Sequence, residues 1–587
     1  MKMQRTPGRG IAPTNSTEDK RQRYTTLAAQ LKNARTSFEP TWKSIASFFR
    51  PRRIRLQVSD RNRGDQRNQS IVDSTPVYAA RTCAAGLMSG MTSAARVWFK
   101  MTLTDKPLLE HAAVKAWLDE VRDRIAGVLS RSNFYATLQT FYSDLAVFGT
   151  ACMIIEEDDD KVIRCTHFAL GDYWIGYNAK QQVRVFMREY DLTVMQVVEQ
   201  FGVLTRDGYE TKNFSQSVQD KWRNGQTEQP ITITHIITDN RDYNETRLES
   251  KHKRFASCYF EQSNRETFLD EGGYDEWPVM VVRWETTTGD IYGTDCPGMT
   301  ALGDAKELMF TKKLGAQALN KAVNPPMNAH ESLFNKGTTI LPGGVNWISG
   351  NDTDKKFTPA IDTRSFRLDW LREWKNDLRE LLDKAFFVDL FLLIANIDRG
   401  DVSATEILEK KEEKLLSLGP VVEQVNDGFL DPGMDRVYGI MLRRGLIPEP
   451  PPEMEGVAFH PEYESIMAQA QRAQGRTGIE AFSIFVANAA KEDPSVLDRV
   501  DVDEMVKKYA DATGVPTKFI RPDEDVTAMR QARAQQQAQQ AAADNAEKVA
   551  GAANKLAGSD TSGQNALTAV LGQGSNVLGG AGPVGGI

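Results

Sequence analysis

Two stretches of this chain carry enough charge of one sign to do chemistry. Glu156, Glu157, Asp158, Asp159 and Asp160 set five carboxylates in a row, a density that could hold a cation. Calcium loops, however, need a glycine and spaced ligands, which this run lacks, so an exposed hairpin tip is the better reading. Arg50, Arg52, Arg53, Arg55, Arg61, Arg63 and Arg67 form the second stretch and could contact phosphate. Asp60 and Asp65 dilute it, and no aromatic side chains interleave for base stacking. A subunit contact or a solvated loop is expected there.

The templates of enzyme chemistry fail in turn. There is no Gly-xxxx-Gly-Lys-Ser/Thr phosphate loop and no Gly-x-Ser-x-Gly elbow. Gly572-Gln573-Gly574 lies in low-complexity sequence, without the strand and helix that a dinucleotide fingerprint requires. His111, His167, His235, His252, His330 and His460 are dispersed, with no pair at zinc-ligand spacing. Cys83, Cys152, Cys165, Cys258 and Cys296 are equally scattered and read as reduced and packed. No catalytic residue, metal or cofactor is expected. An active site assembled from distant acids is the remaining enzymatic reading.

What positions side chains here is mostly helix. With 587 residues, 41% hydrophobic, 26% charged and a formal net charge of −7, the composition is that of an ordinary soluble protein with no overall electrostatic grip on DNA. Met1 to Asn15 has Lys2, Arg5 and Arg9 but no apolar core of a secretory signal. The longest apolar run, Ala385 to Ala395, contains Asp389 and is too short to span a bilayer. A soluble protein made in the cytoplasm, without membrane contact, is expected.

Residues 1–17 read as a flexible arm. Tyr24, Leu27, Leu31, Trp42, Ile45 and Phe49 mark helices interrupted near Pro40 and ended by Pro51. Ala79, Cys83, Leu87 and Met91 mark another, with Gly86 and Gly90 on a small face suited to close packing. Val114 to Val128 and Phe134 to Phe148 continue the helical pattern, the latter ending at Gly149-Thr150. Strands are predicted at 151–155, 162–166, 183–186, 231–238, 256–260 and 279–284, which makes 150–295 an α/β lobe between helical parts. Pro448-Glu449-Pro450-Pro451-Pro452 is a stiff connector. Residues 460–520 read as helix, Arg530 to Ala550 as a Gln/Ala/Arg-rich helix almost without an apolar stripe, and the chain beyond Gly551 as flexible. The fold class is α+β, mainly helical.

The stretch from Ala301 to Gly419 has the most distinctive order. Leu302, Ala305, Met309, Ala316, Leu319 and Val323 line a helix that Asn324-Pro325-Pro326 must end. Thr338 to Leu341 and Val345 to Ile348 form a small hairpin through Pro342-Gly343-Gly344, with Trp347 on its second arm. A returning helix starts near Arg364 and becomes apolar all round from Phe386 to Leu393, so its far end should be buried. Ile394 to Val402 is a loop, and Ser403-Ala404-Thr405-Glu406 is a capping box, with Ser403 and Glu406 as the reciprocal partners.

Several segments, in order, resemble the head-to-tail connector, or portal, family of short-tailed bacteriophages. They are Asp73-Ser74-Thr75; the run Arg81 to Ser93 followed by Trp98-Phe99; Phe148-Gly149-Thr150; Tyr292-Gly293-Thr294; Asn324-Pro325-Pro326; Phe386-Phe387-Val388-Asp389-Leu390-Phe391; and Ala404-Thr405-Glu406. Together they cover roughly residues 25–530.

The resemblance implies a portal fold with wing, stem, clip and crown, assembling as a ring, usually of twelve subunits, around a channel for double-stranded DNA. On that reading 18–99 is the amino-terminal helical part of the wing and 100–300 its α/β lobe. Residues 301–323 and 364–393 are the stem helices, and 324–363 is the clip that docks the terminase large subunit and then the tail proteins. Residues 394–403 form the tunnel loop, 404–454 a long wing helix and connector, 455–524 the crown, 525–550 a helix that could build an internal barrel, and 551–587 the tail. Major capsid and scaffolding proteins are the other implied partners, and the virion the implied location.

A channel dense in Lys and Arg would hold a duplex instead of letting it slide. In the loop, Asn396, Asp398, Arg399, Gly400 and Asp401 sum to a slightly negative charge, so a steric or valve-like contact with DNA is expected. A ring-forming virion protein without a DNA channel is the main alternative.

Overall fold

The amino-terminal helices are held by arginines that reach backbone carbonyls. In the computed structural model, which describes residues 17–56, 64–109, 111–205, 208–210, 214–262, 264, 267–328, 358–359, 368–396, 418–454, 456–463, 482–491, 500–513, 521 and 523–557, helix α1 spans Thr17–Thr36. Its Arg21 lies over the Phe260 ring at 3.6 Å and donates to the carbonyls of Glu261 and Asn264. Arg35 stacks on Trp174 at 4.0 Å and donates to the carbonyls of Gly171 and Tyr173. Both guanidiniums are buried, and their planar forks satisfy carbonyls that would otherwise be stranded.

Helix α2, Glu39–Phe49, starts where Pro40 fits the first turn and buries Trp42, Ile45 and Phe49. Helix α3, Thr75–Met91, buries Ala79, Cys83, Gly86, Leu87 and Met91 at helical spacing. Strand β1, Phe99–Leu103, leads to α4, Ala112–Arg131, and α5, Phe134–Phe148. Gly149 closes α5 in the left-handed region at φ 74°, the usual way a helix hands over to a strand.

Two antiparallel sheets follow. Strands β2 (Thr150–Asp158) and β3 (Val162–Phe168) form a hairpin. Then β4 (Tyr173–Tyr177), β5 (Val183–Thr193), β6 (Pro230–Asp239), β7 (Phe255–Glu261) and β8 (Asp270–Tyr274) pair in strict chain order as a five-stranded meander. Strand β9, Val279–Arg283, returns to the first sheet and pairs with β2, Val282 opposite Ala151. Every strand predicted from the sequence is present within a residue or two, except that β2 and β5 run longer.

Helix α6, Leu302–Val323, is followed after the excursion by α7, Leu368–Ala385, and α8, Val388–Asn396; α9, Asp431–Arg443, packs back on the hairpin. One core joins α2, α3, α5, β2, β9, α6, α7 and α9. All five cysteines are buried and unpaired.

Two expectations change. Residues 459–463, read as the start of a helical region, form strand β10 (Phe459–Tyr463) paired with β1. The Tyr463 ring stacks on Trp98, and Phe459 meets Trp117 edge to face. These aromatic contacts override a local pattern that ran on as helix. The returning helix, read as continuous through Leu393, breaks at Phe387 with φ 55°, and helix then persists to Asn396, three residues into the stretch read as loop.

A second unit comprises residues 475–587. Its described part contains α10, Val502–Thr513, and α11, Asp523–Ala557, where Arg530 grips Asp503 with both terminal nitrogens. Among the described residues no helix is long and apolar enough to cross a membrane.

Candidate functional site

The helix pair α6–α7 has an inner face that is closed and an outer face that is not. Leu308, Leu378 and Leu382 are buried, and the Trp374 indole N–H donates to Glu307 Oε1 at 3.2 Å. On α6, Phe310 (63% exposed) and Leu314 lie one turn apart facing solvent. On α7, Trp370 (61% exposed), Trp374 and Leu381 form a second stripe, the two indoles stacked 6.1 Å apart. Large aromatic and aliphatic side chains left open at helical spacing on two adjacent helices mark an association surface.

A buried carboxylate fixes how the pair meets the rest of the chain. The amides of Val72 and Asp73 donate to Met309 Sδ of α6. Asp73 Oδ1 accepts from the Thr75 amide (3.0 Å) and hydroxyl (2.6 Å), while Oδ2 faces Lys312 of α6 at 3.1 Å and Arg379 of α7 at 2.9 Å. Burial alone would push this carboxyl up. The bonds from Thr75, then those from Arg379 and Lys312, outweigh it and hold the pKa well below the usual carboxylate range. Asp73 was legible only as part of a family segment, since its cationic partners are hundreds of residues away.

The α7–α8 junction is equally specific. Phe386 packs on Phe49 with ring centroids 5.4 Å apart, and the Phe391 ring occupies the space where a Cβ on residue 86 would be. Only glycine at position 86 permits that approach. The small face read from Gly86 and Gly90 thus has a partner at Gly86, and the partner is an aromatic ring.

Two further family segments, Phe148-Gly149-Thr150 and Tyr292-Gly293-Thr294, meet as one contact. Thr150 Oγ1 accepts the Gly293 amide at 2.9 Å, and the Gly149 carbonyl accepts the Trp284 amide at 2.8 Å. Parts of both charged stretches are also accounted for among the described residues. Arg50 donates to Ser143, Arg53 to Asp144 at 3.1 Å and to His167 Nδ1 at 2.9 Å, and Arg55 pairs with Asp172. Those three arginines brace the subunit internally. Of the five acids, Glu157 accepts from Arg443 and Asp159 from Arg444, and Asp158 Oδ1 accepts from the amides of Asp160 and Lys161 to shape the hairpin turn. Burial, opposed by nearby Asp144, then reinforced by Arg53 and Arg50, drives the His167 pKa down to about 4. Among the described residues no group of His, Cys, Asp and Glu could hold a metal ion.

Of the residues singled out from sequence, Asn324 caps the end of α6 with its amide on the Asn320 carbonyl (2.8 Å), and Pro325 and Pro326 follow it. Met327–Asn328 then pairs with Thr358–Pro359, bringing the two ends of the excursion together. Asn396 is the last residue of α8. Pro342, Gly343, Gly344, Trp347, Asp398, Arg399, Gly400, Asp401, Ser403 and Glu406 lie outside the described residues.

A family model described as "Bacteriophage head to tail connecting protein" matches residues 21–520. The "Portal protein" of Salmonella phage epsilon15 is 39% identical over 555 residues, covering 94% of this chain and 98% of that one. The "Probable portal protein" of Bordetella phage BPP-1 is 37% identical over 544 residues, covering 92% and 96%. A solved chain titled "Virion of native gene transfer agent (GTA) particle" aligns with 74% of this chain and 99% of its own, at 9% identity and a TM-score of 0.32, too slight a likeness to argue from.

Proposed function

Because the chain belongs to the bacteriophage head to tail connecting protein family and serves as a phage portal, a structural component of the virion, we propose that it assembles as a ring of twelve copies around a channel for double-stranded DNA. In this reading α6 and α7 are the stem. The Phe310–Leu314 stripe of one copy meets the Trp370–Trp374–Leu381 stripe of the next. Two different apolar faces on one chain are what a heterologous, closing interface requires. That pair of stripes is the observation that carries the proposal.

The excursion between α6 and α7, residues 324–363, is the clip that docks the terminase large subunit during packaging and the tail proteins afterwards. The loop after Asn396 faces the duplex, and its Asp398, Arg399 and Asp401 give it a slight negative charge suited to contact without grip. Major capsid and scaffolding proteins surround the ring at one vertex after assembly in the host cytoplasm. No step calls for a catalytic group.

Electron microscopy and mass measurement of the purified protein test this. Twelve copies of a 65.6-kDa chain give about 790 kDa and a ring with a duplex-wide hole. A monomer with metal-dependent nuclease activity would sink the reading, and a ring without an open channel would favour a purely structural virion protein.

A further inference from the structure

Left-handed backbone is routine for glycine, and a bulky residue holds it only where the surrounding structure imposes it. Phe387 does so at φ 55°, in a stretch, Leu368–Asn396, that contains neither glycine nor proline. Nothing local calls for a break. Leu378, Leu382, Phe386 and Leu390 recur every four residues straight through it, and all four are buried. What imposes the bend is packing: Phe386 against Phe49, and Phe391 in the slot left by Gly86. Helical preference along the chain and packing across it therefore oppose each other within two residues, the arrangement of an element with two discrete states.

We propose that Phe386-Phe387 is a two-state joint. In the bent state α7 and α8 are separate helices and Phe391 fills the Gly86 slot. In the second state Phe387 takes right-handed helical angles, Leu368–Asn396 becomes one rod, and Phe391 leaves the slot. Switching re-aims the chain that follows Asn396. That this chain faces DNA rests on the function proposed above; the joint itself does not.

Spin labels on Glu373→Cys and Leu392→Cys, both at exposed positions, read the joint as a distance in the full-length chain, whose own cysteines are all buried. A continuous helix sets these sites about 28 Å apart, and the bend brings them closer. The parent should show both distances. Gly86→Ala, whose Cβ evicts Phe391, should enrich the longer one several-fold, and Phe387→Gly, which removes the objection to a left-handed angle, should leave the shorter alone. Phe391→Ala empties the slot without adding bulk and should also enrich the longer distance, so the test survives if Gly86→Ala does not fold. A single short distance in the parent that Phe391→Ala leaves unchanged overturns the joint. Absence of rings in the microscope would overturn the channel reading without touching these distances, so the two failures are distinguishable.

Discussion

Arg379 Nη2 donates to Asp73 Oδ2 across 2.9 Å, joining residues 306 apart in the chain. With Lys312 on the same oxygen, one buried carboxylate ties the turn ahead of α3 to both helices of the pair. Asp73→Ala should cost about 2 kcal/mol, because it strips two half-exposed cations and the Thr75 groups of their acceptor. Because the folded pKa lies below the unfolded one, this contribution is present above about pH 4 and is lost as pH falls further. Denaturation midpoints of the two proteins should differ at pH 7 and converge towards pH 2.

His167 behaves differently. Its pKa is lowered to about 4 from an ordinary value near 6.5. Unfolding therefore takes up a proton at intermediate pH, so the protein loses stability as pH falls from about 6.5 to 4, by roughly 3 kcal/mol from this group. His167→Gln should flatten the pH dependence of the melting temperature in that window. An unchanged slope would remove His167 as its source.

Thr150→Val should cost about 1–2 kcal/mol, since it leaves the buried Gly293 amide without an acceptor, and Thr150→Ser should restore most of it. Thermal melts of the three proteins decide this, because equal losses in both variants would point to packing instead of the hydroxyl.

Phe310→Asp and Trp370→Asp place a charge on each of the two stripes. Each alone should shift sedimentation from the ring towards a 65.6-kDa species with unchanged circular dichroism. Intact rings from both variants would move the subunit contact elsewhere.

Most of this architecture was legible in the residues. Ala79, Cys83, Leu87 and Met91 announced α3, and the β-branched and aromatic runs announced both sheets. Local periodicity carries such information because each element must bury one face. The unreadable parts have a common cause. The Asp73 partners, the Phe391 seat on Gly86 and the β1–β10 pairing all depend on residues hundreds of positions apart. The break at Phe387 could not be foreseen because packing, with no glycine or proline in the stretch, produces it. Arg50, Arg53 and Arg55 looked able to meet phosphate because sequence could not show that Ser143, Asp144 and Asp172 engage them.

Deleting Asp398 to Asp401 tests the loop separately from the ring. Rings should form in normal yield while DNA packaging or retention falls. Loss of ring assembly would give this stretch a structural role instead.

The meander from β4 to β8 pairs its strands in chain order, with residues 194–229 inserted between β5 and β6. Such contacts close early, at little loop-closure cost, and a growing chain can complete them before Leu302 has left the ribosome. The apolar stripes of α6 and α7 are therefore synthesised onto a platform that is already folded. The order of elements along this chain thus separates in time the closing of the sheet from the emergence of the exposed apolar stripes, with α9, β10 and the second unit still to follow.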